Sequence, residues 1–401
     1  MGTKPIIIAG GGIGGLAAAL ALGLKGYNVH VLEQSTDFKE IGAGIQLGPN
    51  VFRMFEVLNL AKPIKRSAVF PDALVMRDAL SAQEITNIPV NTANFIKHFG
   101  FPYAVIYRPD LHKTLLKACK RLTNIQLIYR KKVIKAEQTA EQVLVVCEDK
   151  SSFEGIALIG ADGLWSKVRD NIIGIEEPRV SGHIAYRAVL PMGNVPTDLQ
   201  SNEVILWAGP KTHLVQYPLH SGKIMNLVAV FHSDKYEEGW DVFGEPNELK
   251  QRFAGQHNKV LRLLEKIDAW KMWVLCDREP IKSWSAGRIG LLGDAAHPML
   301  QYLAQGGCMA IEDAVCLANS LQLKNGDIVA ALKSYEESRY LRTARVQLTA
   351  RFYGDAYHAS GPTAELRDLA LRARTVEQAY AGMTWLYKGV DNEGRQVLNT
   401  N

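Results

Sequence analysis

The sequence predicts an α/β fold: a Rossmann-like dinucleotide-binding domain, an inserted strand-rich domain, and a helical C-terminal region. Three observations carry that expectation. Residues 5–33 read in order as apolar strand, glycine-rich turn, helix, second strand and terminal acid. Far downstream, residues 288–293 form another apolar strand that ends in Gly293-Asp294 and runs into a long helix. Between them, residues 180–278 are dominated by strand patterns, while 328–352 and 362–388 are mostly helical.

The opening segment justifies itself residue by residue. Residues 6–9 are a short apolar run bounded by glycine, as a central parallel strand should be. Gly10, Gly12 and Gly15 then fit G-x-G-x-x-G. The first glycine allows a tight turn, the second a close approach of backbone to pyrophosphate, the third close packing of helix on strand. A helix over about 14–25 points its N-terminal amides and positive dipole end at the phosphates. A second strand over 28–32 ends at Glu33, whose carboxylate suits the ribose hydroxyls of an adenosine and would repel a 2′-phosphate. The uncharged stretch 5–24 could also be read as a signal peptide or membrane anchor. Five glycines within positions 10–15, and an acid placed where a dinucleotide needs one, argue against that.

The remaining elements follow in order. Residues 42–50 are a glycine-rich loop, containing Gly44 and Ile45, that leads into a helix near Asn50. Residues 68–107 read as strands and turns. Asp110 is expected to cap an amphipathic helix with Leu111, Leu115 and Leu116 on one face. Residues 125–148 look like a β-meander, and 157–163 return as a buried strand. One helix near 246–266 interrupts the strand-rich insertion, and a long helix spans about 307–323. These patterns divide the chain into a discontinuous cofactor domain (1–70, 100–180 and 279–345), a substrate domain (71–99 and 181–278) and a helical C-terminal region (346–401).

Composition fits a soluble enzyme. The 401 residues suffice for two or three packed units. A net charge of +5 is too mild to imply nucleic acid, and the cluster Arg130, Lys131 and Lys132 reads as a solvated strand edge. The five cysteines show no C-x-x-C pair and no metal spacing, so reduced thiols in a cytoplasmic protein are expected.

Four motifs in order carry a family resemblance. They are the glycine pattern at 10–15; Tyr107-Arg108-Pro109-Asp110-Leu111; Gly160-Ala161-Asp162-Gly163 with Ser166 and Arg169; and Gly293-Asp294 through Ala310-Ile311-Glu312-Asp313. The chain resembles the single-component FAD-dependent aromatic hydroxylases, the group of para-hydroxybenzoate and salicylate hydroxylases. Residues 207–217 and 297–304 further resemble the 3-hydroxybenzoate 6-hydroxylases, in which a histidine and a glutamine in these contexts face the substrate. One departure is visible: Gln301-Tyr-Leu-Ala-Gln305-Gly-Gly307 stands where many members have Pro-x-x-Gly-Gln-Gly. That argues against simple transfer from salicylate hydroxylase.

The resemblance implies FAD as cofactor and NADH as co-substrate. Cofactor contacts are expected at Gly10, Gly12, Ile13, Gly14, Gly15, Glu33, Gln34, Gly44, Ile45, Arg108, Asp162, Asp294, Pro298, Gly306 and Gly307. Asp294 should accept from the ribityl hydroxyls. Arg108 should reach the pyrophosphate or the ribityl chain. Gly306 and Gly307 should open a helix beside the flavin pyrimidine. With no second G-x-G-x-x-G, the nicotinamide should bind transiently.

The implied chemistry is hydride transfer to FAD, reaction with O2 to a C4a-hydroperoxide, and attack of the distal oxygen on an electron-rich ring. Phenols titrate near ~10, so a nearby base must help. His213 is the expected base, Gln301 the expected orienting group and Tyr217 a pocket wall; His297 reads as structural, and no metal is required. The expected reaction is 3-hydroxybenzoate to 2,5-dihydroxybenzoate in a cytoplasmic homodimer. Salicylate or 6-hydroxynicotinate are alternative substrates. A non-catalytic FAD-binding regulator, and a flavin oxidase or dehydrogenase, are alternatives of other classes.

Overall fold

Ile6–Ala9 is fully buried and carries no charge, so it can pair on both edges and be covered on both faces. It does so in a computed structural model that describes residues 4–37, 43–233, 242–267 and 269–397. The sheet order is Ser285–Ala286, Ile289–Leu291, Ala157–Gly160, Ile6–Ala9, Val29–Leu32, Ile125–Ile128. All pairs are parallel except the first, which is a short antiparallel edge. The two widely separated motifs therefore both end at the carboxyl edge of one sheet, with strand Ala157–Gly160 between them.

Helix Ile13–Leu24 follows the glycine turn and is buried along most of its length, so it packs against neighbours on more than one side. An added Cβ at Gly15 would stand 1.9 Å from the Gly10 carbonyl oxygen, so that turn cannot take a side chain. Gly10 itself has φ +105°, and a Cβ there would meet the Ala161 carbonyl oxygen at 2.3 Å. On the same core stands helix Gly306–Leu323. Among the described residues no helix is long and apolar enough to cross a membrane.

A second sheet of eight strands has the order Val242–Gly244, Trp270–Asp277, Arg179–Pro191, Ile224–His232, Thr212–Leu219, Val204–Gly209, Ala73–Asp78, Glu84–Pro89. Its one parallel pair is Val204–Gly209 with Ala73–Asp78. One face packs on helices Pro246–Arg252 and Asn258–Leu264. The other packs on residues 300–303 and helix Ile328–Tyr357. The chain closes with helices Gly361–Arg372 and Val376–Tyr387.

Four local expectations need correction. Ile125–Ile128 belongs to the parallel sheet, where it pairs with Val29–Leu32, and the antiparallel meander is Val133–Gln138, Val143–Cys147 and Ser152–Gly155. Asp110 does not cap its helix. The helix is Arg108–Cys119 with Tyr107 at the cap position, and Asp110 lies in its first turn. Pro109 fixes that earlier start, since its missing N–H costs nothing there. Residues 68–107 also contain a helix, Ala93–Phe99, whose cap is the Thr92 hydroxyl accepting from the Phe95 amide. Finally, the single helix expected near 246–266 is two short ones.

Candidate active site

A cavity of about 1560 Å³ runs between the two sheets. It exceeds the ~300–1,000 Å³ of an ordinary small-ligand pocket, so it has room for more than one ligand. At its outer end Glu33 follows strand Val29–Leu32. Its Oε2 accepts from the Gly11 amide at 2.7 Å and its Oε1 from the Ser35 amide at 2.8 Å. The carboxylate is thereby fixed beside the glycine turn, with lone pairs left for a ligand hydroxyl. Gln34 is exposed at this mouth, and Gly10, Gly12, Ile13 and Gly14 line the next stretch. Gly15 does not line it, since its place is inside the turn.

Asp294 lies mid-cavity, just beyond strand Ile289–Leu291. Among the described residues it has no hydrogen-bond partner. The side chain faces open space that the surrounding walls enclose. That enclosure pushes its carboxyl above the ordinary carboxylate range, though His297 and Arg108 oppose the shift. The segment carrying it is held from below. Asp313 Oδ2 accepts from the Gly293 amide at 3.1 Å and from His297 Nε2 at 2.6 Å, while its Oδ1 accepts from Arg339 Nε at 2.7 Å. Burial would raise the Asp313 carboxyl, but His297 and Arg339 overcome it and hold it at about 2. Arg169, itself buried, donates to the Ala295 and Ala296 carbonyls at 3.1 Å each. Beside Asp294, helix Gly306–Leu323 presents its N-terminal amides and dipole to the cavity, and Pro298, Gly306, Gly307 and Ile45 line the wall. Gly44 also lines it, with its amide donating to Asn226 Oδ1 at 2.8 Å. A Cβ on Gly44 would meet the Tyr217 ring at 2.4 Å.

Arg108 lines the same stretch. Asp162 borders it too, but its carboxylate is used locally. One oxygen accepts from the Ser166 hydroxyl, and the other from the Lys167 and Val168 amides at 2.8 and 3.2 Å. Asp162 thus organises the start of helix Lys167–Ile172.

The inner end is built by the eight-stranded sheet and by residues 298–307. His213 sits inside strand Thr212–Leu219, opposite Ala208 and Val230, and not in the connection between two strands. It is 2% exposed and lines the cavity. Its Nδ1 lies 2.7 Å from His358 Nε2. Burial, and secondarily His183, lower its pKa to about 3, so its ring is neutral. Gln301 starts a short 3-10 turn, and its Oε1 accepts from the Arg187 guanidinium. Tyr217 is buried and forms the wall between this end and Gly44.

Arg187 was not among the residues expected from sequence. It projects from strand Arg179–Pro191 into the cavity, with its guanidinium 5.3 Å from the Trp273 ring centroid. Among the described residues no carboxylate pairs with it, and its Nε has no partner. Burial lowers its pKa. The signal available in sequence was one cation in a strand where Ile184, Ala185 and Tyr186 are apolar and buried. His358, the partner of His213, carried no signal at all.

The family described as FAD binding domain matches residues 3–350. The chain is 44% identical over 383 residues to 3-hydroxybenzoate 6-hydroxylase of Polaromonas naphthalenivorans, covering 96% of this chain and 95% of that one. The chain belongs to the FAD-dependent aromatic hydroxylases. Among solved structures it resembles Klebsiella pneumoniae HpxO complexed with FAD and uric acid, with TM-score 0.84 and 28% identity over 96% of this chain and 97% of that one. It also resembles a salicylate hydroxylase substrate complex, with TM-score 0.83 and 25% identity over 99% of each chain. FAD is the cofactor of this hydroxylase, and the cavity fits it. A fixed carboxylate, a glycine turn, an enclosed aspartate and a helix N-terminus follow one another along its length, in the order adenosine, pyrophosphate, ribityl chain and flavin require.

Proposed function

We propose that this hydroxylase converts 3-hydroxybenzoate to 2,5-dihydroxybenzoate at the expense of NADH and O2. The observation that carries the reading is the pairing of a cationic clamp, Arg187 with Gln301, and a neutral imidazole, His213, on the walls of the same inner chamber. A half-buried guanidinium that lines the cavity without a carboxylate calls for an anionic ligand, and a planar guanidinium takes a carboxylate in two parallel hydrogen bonds. Gln301 holds that guanidinium in place and adds an amide N–H for the substrate. His213 Nε2 then accepts from the phenol O–H, which raises electron density at the ring position para to the hydroxyl. The neutral ring needs no prior deprotonation to accept. The buried His213–His358 contact offers the proton a way on.

Bound FAD supplies the chemistry of hydride acceptance and oxygen activation. The chain supplies orientation and dryness: Tyr217, Trp273, Tyr302 and Val228 line the chamber and keep water from it. NADH enters from outside, since the one dinucleotide unit serves FAD. The test is a panel of phenolic acids, including 3-hydroxybenzoate, salicylate and 6-hydroxynicotinate. It scores NADH against NADPH oxidation, with product identified and oxygen-18 traced. Expected is stimulated NADH oxidation with label in 2,5-dihydroxybenzoate. A better turnover of salicylate, or equal use of NADPH, would overturn the corresponding part.

A further inference from the structure

Behind His213, on the side away from the cavity, three more histidines meet. His183 and His232 face each other across strands Arg179–Pro191 and Ile224–His232. His358 follows helix Ile328–Tyr357. His183 Nε2 lies 2.9 Å from His232 Nε2, and His232 Nε2 lies 3.0 Å from His358 Nδ1. All three nitrogens fall within 4.8 Å of one another.

Hydrogen bonding alone satisfies this poorly. A ring nitrogen has one in-plane direction, carrying either one proton or one lone pair. His232 Nε2 cannot make two linear hydrogen bonds, yet two nitrogens converge on it. A cation at the point of convergence takes all three lone pairs. The outward nitrogens are already fixed as a metal's ligands require. His183 Nδ1 faces the Tyr302 hydroxyl at 2.5 Å, and His358 Nε2 faces His213 Nδ1 at 2.7 Å. Two nitrogens on tetrahedral zinc stand about 3.3 Å apart, given Zn–N near ~2.0–2.1 Å. The two separations at His232 therefore need to open by only a few tenths of an ångström, and the third already lies within 4.8 Å. Burial keeps His183 and His358 neutral. His232 is half-buried, which gives an ion a way in. Of the charges felt at His232, Lys211 and Arg252 oppose a cation and Asp355 favours one.

We propose that His183, His232 and His358 form a binding site for a divalent transition metal of the zinc class, and that its occupation is mutually exclusive with His213 accepting a proton from substrate. The second half rests on the reading of His213 given above. A metal on His358 Nδ1 leaves the His358 proton on Nε2, so Nε2 donates to His213 Nδ1. His213 must then carry its own proton on Nε2, the nitrogen that would face substrate. In the metal-free enzyme His358 Nε2 accepts from His213 Nδ1–H, and His213 Nε2 is free to accept. The metal thus acts as an inhibitor by choosing a tautomer, without entering the cavity. The three ligands are so far apart in sequence that no spacing motif could reveal them.

The test uses the FAD-loaded enzyme. Equilibrium dialysis against Zn²⁺ should retain one ion per chain in wild type and in His213→Gln. That ion should be lost in His183→Gln and His232→Gln, with retained FAD showing that the variants fold. Zn²⁺ should also lower product formed per NADH consumed to the value of metal-free His213→Ala. No retained Zn²⁺, or equal retention in His183→Gln and wild type, would overturn the site. Retained Zn²⁺ with an unchanged product ratio would overturn the exclusivity. If metal-free His213→Ala itself keeps the wild-type ratio, the reading of His213 fails, while the dialysis result still decides the site.

Discussion

The roles proposed for His213, Gln301 and Arg187 are separable, so their replacements should fail differently. His213→Ala should retain FAD, because no cofactor-binding group touches it. Removing a general base costs about 10²- to 10⁴-fold in the chemical step. NADH should still be consumed, with hydrogen peroxide released in place of hydroxylated product. The measurement is product formed per NADH consumed, and an unchanged ratio and rate would remove His213 from the reaction. Gln301→Ala should show a milder loss with weaker substrate binding. Arg187→Met should raise KM for 3-hydroxybenzoate by about 10- to 100-fold, the worth of one charge-assisted contact of roughly 1.5–3 kcal/mol. It should leave KM for a phenol without a carboxylate nearly unchanged. Equal effects on both would mean that Arg187 shapes the wall and does not bind the anion.

The segment from Gly293 to Pro298 shows how a short motif is made rigid by elements remote in sequence. Asp294→Ala should lose flavin far more readily on dialysis, read as absorbance retained after gel filtration; undiminished retention would dissociate Asp294 from the cofactor. Asp313→Asn should weaken flavin retention without touching flavin, because the Gly293 amide and His297 lose their shared acceptor. The pKa of Asp313 is lower in the folded chain, about 2 against an ordinary 3.8. Its stabilising contribution is therefore complete above about pH 3.8 and is lost as pH falls through about 2. The asparagine variant should lack that part of the acid-unfolding slope.

Below the cofactor cavity lies a fully buried ionic network. Glu312 accepts from Arg339 Nη1 at 2.6 Å and from Arg342 Nε at 2.7 Å, and Asn50 donates to it at 2.7 Å. Arg339 also pairs with Asp313, so two cations and two anions balance. This network joins helices Gly306–Leu323 and Ile328–Tyr357. Removing one partner strands a buried charge, at about 3–5 kcal/mol. Arg339→Ala should therefore lower the unfolding temperature markedly in the FAD-loaded enzyme, while the exposed pair Lys135–Glu137 should be nearly neutral to substitution. Similar shifts from both would show that the network contributes little.

The FAD half of the site was legible in the chain because its chemistry is local. A strand, a glycine turn and a helix N-terminus lie within a few residues of one another, and backbone sterics leave a G-x-G-x-x-G segment few ways to fold. Glu33 and Asp294 could be placed on the cavity wall because each lies just past the end of a strand. Asp162 shows the limit of that logic: its place in a motif was readable, but Ser166 and two amides claim its carboxylate. The substrate half is different. His213 and Gln301 carried a family signal, yet what each one touches was set by packing. Packing of the turn Gln301–Leu303 on the eight-stranded sheet brings Gln301 to Arg187, and the end of a 30-residue helix brings His358 to His213. Side-chain meetings across a sheet depend on register and on how one layer lies over another. No pattern within either segment encodes them, so the Arg187–Gln301 contact and the four-histidine cluster exist only once the layers close.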